Sequence, residues 1–156
     1  MSSQKGLTLV ELMITIALIL LIAAIAAPPF FGYAINMNLK SAARDIQSDF
    51  LSLKQRAVSE STTYRITFDV NTSTYTIERG TEPGSPFVAL EVKTPKAFGA
   101  DIGVQNVDFS GGTPAITFQE RGIATNGRVL LTNSRGSTAA VITSVSGRTY
   151  VQLNMQ

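Results

Sequence analysis

Hydrophobic residues dominate the N-terminal part of the chain. Between Leu7 and Ala27 the only charged residue is Glu11. As an α-helix, residues 7–27 would be about 31 Å long, which matches the hydrocarbon core of a bilayer. A small domain seldom surrounds a helix that is apolar on every face. The pattern therefore favours a membrane span over a buried core helix.

A second pattern with helical spacing begins after this segment. Its apolar positions recur every three or four residues, at Leu39, Ala43, Ile46, Phe50, Leu53 and Ala57. Charged residues occupy the other faces, so this part predicts an amphipathic helix that packs on a neighbouring domain. Pro28 and Pro29 lie between the two patterns and lack backbone donors. They predict a kink or a local unwinding of the helix.

From Thr62 onward the hydrophobic period becomes two, which is typical of strands. The segments "YRITFD" and "TYTIER", separated by "VNTS", predict a hairpin. Further strands are predicted at Phe87–Val92, Val107–Phe109, Ala115–Phe118, Arg128–Thr132, Ala139–Val145 and Arg148–Leu153. Asn126-Gly127, in "GIATNG", predicts another hairpin turn. The expected fold class is α+β: a long, kinked N-terminal helix, with a membrane half and an amphipathic half, packed on a small antiparallel β domain.

The composition narrows the chemistry. The chain has no Cys and no His, and its net charge is +2. The absence of His removes the commonest general base and metal ligand, and the absence of Cys removes thiolate chemistry. Both absences argue against an enzyme. No cofactor, catalytic residue or metal site is predicted. Asp45 and Asp49 lie one helical turn apart and could present two carboxylates to a metal. With Arg44 beside them, a solvated helix face is the favoured interpretation.

Glu11 needs an explanation inside an apolar segment. A cleaved secretory signal, with "AIA" at residues 24–26 as its cleavage site, fits poorly because the apolar run is long and contains this carboxylate. Glu11 would either sit at the headgroup boundary or meet a cation inside the membrane. A cut after Gly6 would create an α-amine on Leu7, on the same helix face as Glu11. The same pair can form between molecules, so a carboxylate unpaired in the lone subunit would favour assembly.

The stretch "KGLTLVELM" resembles the processing signal of type IV pilins and type II secretion pseudopilins. The resemblance implies that a membrane prepilin peptidase recognises Lys5, Gly6 and Leu7. It would remove a leader at residues 1–6 and N-methylate Leu7. It also implies that Glu11 pairs with the N-terminal amine of a neighbour during assembly. Phe is usual after the cut, and Leu7 is a conservative change from it.

The C-terminal part is similar to the β domain of the H-type minor pseudopilins, the GspH/FimT family. The segments that carry this similarity are "FDVNTSTYTIERG", "ITFQERGIATNGRVLL" and "SGRTYVQL". The resemblance implies a pilin-like fold in which residues 7–31 form the transmembrane and assembly half of the helix. Residues 32–60 would form its amphipathic half and residues 61–156 a periplasmic β domain. The protein would be a single-pass inner-membrane protein, in contact with lipid, before it joins other pseudopilins or pilins in a filament.

The cationic residues near the C-terminus are candidates for DNA binding. From Ser110 onward four arginines face one acid, Glu120; they are Arg121, Arg128, Arg135 and Arg148. Arginines at turns can bind phosphates, but a solvated surface that contacts neighbouring subunits is the favoured interpretation. Some family members that act in DNA uptake carry a second Arg soon after the final "GR". Here Tyr150 takes that place.

Two functions remain open at this stage. The first is a minor pseudopilin of the type II secretion pseudopilus. The second is a minor type IV pilin that serves pilus priming, twitching motility or DNA uptake. The inferences drawn from residues up to Ala57 apply equally to both functions. An enzyme is a distant third.

Overall fold

The computed structural model describes residues 8–80 and 86–156, with the side chains of residues 26–31 outside the described part. The elements in chain order are α1 (Leu9–Ser59), β1 (Tyr64–Asp69), β2 (Thr74–Gly80), β3 (Phe87–Lys93), β4 (Gly103–Phe109), β5 (Ala115–Phe118), β6 (Gly127–Thr132), β7 (Thr138–Thr143) and β8 (Thr149–Asn154). A 3₁₀ turn, Pro95–Ala97, precedes β4. The chain divides into two compact units, one up to Ala34 and one from Ile35 to Gln156.

Helix α1 includes both prolines of the predicted kink. The backbone of residues 26–31 is helical, so Pro28 and Pro29 do not unwind it. The kink itself stays a prediction. The helix ends in a Schellman arrangement, in which Thr62 N–H donates to the Ala57 carbonyl and Ser61 lies in the left-handed region with φ +47°.

The apolar stripe predicted for the second half of α1 forms the centre of the core. Its six residues, from Leu39 to Ala57, are each no more than 3% exposed. Phe50 lies in the middle of the stripe, and its ring centroid is 5.7 Å from that of Phe118 and 6.3 Å from that of Phe68. These contacts join the helix to the strands, so the amphipathic prediction is confirmed.

The strands form two antiparallel four-stranded sheets. Their orders are β3-β2-β1-β5 and β4-β6-β7-β8. The predicted first hairpin is confirmed, with Phe68 opposite Tyr75 in the register of β1 and β2. The ring of Phe68 also stacks on Phe109 from the second sheet, with centroids 6.2 Å apart. A helix packed on antiparallel sheets is the predicted α+β fold.

The predicted hairpin at Asn126-Gly127 is wrong. Gly127 is the first residue of β6 and pairs with Phe109 of β4 and Thr143 of β7. The segment before it connects β5 in one sheet to β6 in the other. The tight turn of that connection lies earlier, where Gln119 N–H donates to the Ile123 carbonyl. Glycine is needed at position 127 for another reason: φ is +153° and a Cβ would lie 2.6 Å from Phe109 Cα.

Candidate functional site

The predicted processing residues, Lys5, Gly6 and Leu7, lie outside the described residues. The first described site residue is therefore Glu11, in the first turn of α1. Thr8 N–H and Thr8 Oγ1–H both donate to Glu11 Oε2 at 2.9 Å. Glu11 N–H donates back to Thr8 Oγ1 at 3.2 Å. This reciprocal arrangement is a capping box, which satisfies amides that a helix N-terminus otherwise leaves without partners.

The capping box gives Glu11 a role within the single chain, because Oε2 accepts both bonds from Thr8. Its carboxylate has no ion-pair partner among the described residues, so the expected pair with an amine stays a prediction. Oε1 receives no hydrogen bond from any described residue, and Glu11 is exposed in the single chain. Thr8 was missed as a functional residue, although Thr-x-x-Glu before an apolar run is a known signal for a capped helix start.

The unit that ends at Ala34 exposes an extended apolar surface. Every side chain from Thr8 to Ile25 is exposed in the single chain, including Leu9 at 74% and Ile25 at 72%. Apolar surface on this scale marks contact with lipid or protein. In the described part of the chain, no helix combines the length and apolar character needed to cross a membrane. The predicted span, residues 7–31, includes positions outside that part and stays a prediction.

The carboxylates of α1 that were considered for a metal have protein partners instead. Asp49 accepts hydrogen bonds from the Tyr75 hydroxyl at 2.7 Å and from Lys93 Nζ at 2.8 Å. Asp45 is 3.3 Å from both groups. The described residues contain no cluster of three or more potential metal ligands. The favoured interpretation of a solvated helix face is therefore wrong for Asp45 and Asp49: they attach β2 and β3 to the helix.

The electrostatics of this cluster fit a structural role. Burial raises the pKa of the Tyr75 hydroxyl well above its usual value, and the hydrogen bond to Asp49 raises it further. Burial is the largest single influence on the pKa of Lys93 and lowers it, but the hydrogen bonds and charges of Asp49 and Asp45 together outweigh burial, so the pKa is raised. Lys93 therefore stays charged and Tyr75 stays a donor. Neither group is poised to exchange a proton near neutral pH.

The structure places the four arginines at two ends of the second sheet. All four are exposed, and none forms an ion pair with a described residue. Arg128 and Arg148 lie at the end of the sheet that holds the β7–β8 turn. Arg121 lies in the β5–β6 connection, which is joined to that turn by the bond from Ala124 N–H to the Val145 carbonyl.

Arg135 lies in the β6–β7 turn at the opposite end of the sheet. The stretch of β6 from Arg128 to Thr132 spans roughly 14 Å and separates Arg128 from the turn that holds Arg135. Arg128 and Arg135 are thus close in sequence but lie at opposite ends of the sheet. The four arginines do not form one patch, and any shared role belongs to Arg121, Arg128 and Arg148.

Comparisons with known proteins agree with this geometry. Residues 1–27 match the prokaryotic N-terminal methylation motif, and residues 42–147 match the type II transport protein GspH family. The chain is similar to the minor pseudopilin EpsH of the Vibrio cholerae type 2 secretion system, at 16% identity and a TM-score of 0.58, over 76% of this chain and 97% of that one.

Two further structures share the fold. Escherichia coli GspH has 18% identity and a TM-score of 0.56, over 76% of this chain and 89% of that one. The Pseudomonas aeruginosa type IV minor pilin FimU has 19% identity and a TM-score of 0.53, over 74% and 87%. These likenesses establish a pilin-like fold. Because the GspH match spans about two thirds of the sequence, the chain belongs to the GspH family of type II transport proteins, with an N-terminal methylation motif ahead of the family domain.

Proposed function

We propose that this protein is a minor pseudopilin, a structural subunit of the periplasmic pseudopilus of a type II secretion system. The observation that carries the proposal is the combination of the GspH match with the methylation motif in one chain. The geometry supports it, because a capped apolar helix segment precedes a compact unit whose polar clusters serve packing. Its role would be assembly rather than catalysis.

Before assembly, the protein would be a single-pass protein of the inner membrane with its C-terminal unit in the periplasm. The support for this is the exposed apolar surface from Thr8 to Ile25. A prepilin peptidase would recognise Lys5, Gly6 and Leu7 and cut after Gly6. In the filament, Glu11 Oε1 would accept from the N-terminal amine of a neighbouring subunit, and other pseudopilins would cover the apolar surface.

The processing step has a direct test. Mass spectrometry of the protein purified from native membranes should show a mature chain that begins at N-methyl-Leu7. A Gly6→Leu variant should retain residues 1–6, since the residue before the cut would no longer be small. An intact leader on the wild-type chain, or an N-terminus near Pro28, would contradict the proposal.

The secretion role is tested by a clean deletion in the native host, complemented with the wild-type gene. Exoprotein secretion, surface motility and DNA uptake are scored side by side. We expect secretion to be lost while motility and uptake are retained. Loss of motility or uptake with normal secretion would instead identify a minor type IV pilin, the alternative that the shared pilin-like fold leaves open.

A contact with DNA is the second candidate function, because three of the arginines lie at one end of a sheet. Phosphate binding would need these cations together, and their loss should weaken DNA retention at low salt. The test replaces Arg121, Arg128 and Arg148 with Ala, and the matched control replaces only Arg135, at the opposite end. Equal DNA retention by wild type and the triple variant would exclude the contact.

A further inference from the structure

The outer strands of the two sheets differ in how their main chains are covered. In β5, Thr125 N–H donates to the Thr117 carbonyl. In β4, Val104 N–H donates to Ser73 Oγ, and in β8, Gln47 from α1 donates to the Thr149 carbonyl. Three of the four outer strands therefore have partners beyond their own ladder. Strand β3 has none: no described residue outside the first sheet bonds to its main chain.

The direction of the unpaired groups in β3 follows from its neighbour β2. Gly80 N–H donates to the Thr63 carbonyl at 2.8 Å, so the main-chain groups of Gly80 point away from β3. In an antiparallel ladder the N–H and C=O of one residue point to the same side, and the side alternates along the strand. Phe87 is paired with Gly80 and is therefore a residue whose N–H and C=O point away from β2.

The same alternation identifies the other open positions. Ala89 is opposite Glu78, two residues from Gly80, so its main-chain groups also point outward. A bulge at Leu90 shifts the register by one residue, after which Val92 is opposite Thr76 and points outward again. Strand β3 thus presents three residues with outward N–H and C=O groups on the unpaired side of the first sheet.

The side chains around this open main chain are mostly apolar. Val88 is 51% exposed, Leu90 48% and Val92 64%. Native proteins usually protect such an edge with charges or a covering element, because it is a template for another strand. The one exposed charge in β3 is Glu91, which has no ion-pair partner among the described residues.

We propose that β3 is a docking strand for an extended segment of a second, different polypeptide, which adds to the first sheet by β-augmentation. The segment would pair with the main chain of Phe87, Ala89 and Val92. It would place an apolar side chain against Val92 on one face and a Lys or Arg against Glu91 on the other. The inference does not depend on whether the filament serves secretion or a pilus.

The charge of β3 argues against a second copy of this chain as the occupant. In a self-paired strand, a cation facing Glu91 would come from the β3 of the second copy. Its only cation, Lys93, is held by Asp49 at 2.8 Å and by Asp45 at 3.3 Å. A different polypeptide with a basic residue at the matching position has no such conflict.

The test uses the full chain in detergent and two fluorescent seven-residue peptides that alternate Val and Thr. One peptide has Lys at its centre and the other Glu. We expect the Lys peptide to bind about two- to fivefold more tightly than the Glu peptide, as for an exposed charge pair. Glu91→Lys should reverse that order. N-methylation of alternate amides in the Lys peptide should abolish binding, because it removes the donors to β3.

A variant pair isolates the main-chain contact. Ala89→Pro removes an outward N–H that makes no bond to β2, so the sheet should remain folded, whereas Ala89→Val keeps the N–H at the same position. We expect Ala89→Pro to weaken binding of the Lys peptide about two- to tenfold and Ala89→Val to leave it unchanged. Thermal unfolding followed by circular dichroism confirms that both variants are folded.

Several outcomes would overturn the proposal. These are no binding of either peptide at millimolar concentration, binding that tolerates N-methylation, or equal affinity of the two Ala89 variants. Concentration-dependent dimers that Ala89→Pro dissociates would assign β3 to a second copy instead. A reversed peptide preference in Glu91→Lys, together with weakening by Ala89→Pro alone, would establish the docking strand.

Discussion

Gly127→Ala tests the pairing that joins β4 to β6 in the second sheet. The residue has φ +153°, and an added Cβ would lie 2.6 Å from both Cα and Cδ1 of Phe109. The backbone strain of a non-glycine residue at such φ is about 1–3 kcal/mol. Because the obstructing atoms belong to a paired strand, the two strands must also move apart. This displacement destabilises the fold by about 1–3 kcal/mol. The total, about 2–6 kcal/mol, is a large part of the ~5–15 kcal/mol that stabilises a typical protein.

Gly111→Ala is the matched control. Gly111 has φ +99°, but a Cβ there would meet nothing within 4 Å, so this variant has the strain alone. Urea unfolding of both full-length variants is followed by far-UV circular dichroism and by the near-UV signal of the buried Tyr64 and Tyr75. We expect Gly127→Ala to lose more stability than Gly111→Ala by about 1–3 kcal/mol. Equal losses would refute the steric argument and the close approach of β4 to β6.

Three further predictions concern single contacts. Tyr75→Phe removes the hydroxyl that donates to Asp49 and should reduce the free energy of unfolding by about 1.5–3 kcal/mol in urea titrations. Hydrogen bonding to Arg65 lowers the pKa of Glu78 below its usual 4.5, so the unfolded chain binds more protons than the folded one. Stability should therefore be full at neutral pH and fall as the pH drops below about 5, with a shallower fall in Glu78→Gln. Ser61→Gly should increase the free energy of unfolding by about 0.5–1 kcal/mol, because φ +47° at the helix end favours glycine. The gain should be visible as a higher melting temperature.

The core of the fold could be predicted from the sequence because its signal is local. The spacing of Leu39 to Ala57 marks one helix face, and all six apolar residues on that face are buried. The first hairpin was also predictable, since two alternating segments flank a short turn. In both cases the periodicity of neighbouring residues determines which side chains face the core.

The partners of the polar residues could not be predicted, because they depend on the pairing of distant strands. Asp49 and Lys93 are 44 positions apart, and only the order β3-β2-β1 brings Lys93 to the helix. The order of the strands likewise separates Arg135 from Arg128. Asn126-Gly127 has the sequence of a hairpin turn, but the connection that contains it crosses between sheets.

The two oxygens of Glu11 allow its capping role in the single subunit and its proposed role in the filament to be tested separately. Oε2 caps the subunit's own helix through Thr8, and Oε1 accepts no hydrogen bond from any described residue. A carboxylate can accept several hydrogen bonds, so a neighbour's amine can bind Oε1 without displacing Thr8. Gln also serves in a capping box, so Glu11→Gln should preserve the helix start but remove the charge that an amine requires.

We expect Glu11→Gln subunits to accumulate, processed, in the membrane without entering filaments. Thr8→Val keeps the carboxylate but loses the hydroxyl, so its subunits should still assemble, with a less protected first turn in amide hydrogen exchange. Filament content is measured by shearing and immunoblotting, with helix protection measured on the same preparations. Normal assembly of Glu11→Gln would show that the carboxylate serves only as a cap, and the charge pair between neighbours would have to be abandoned.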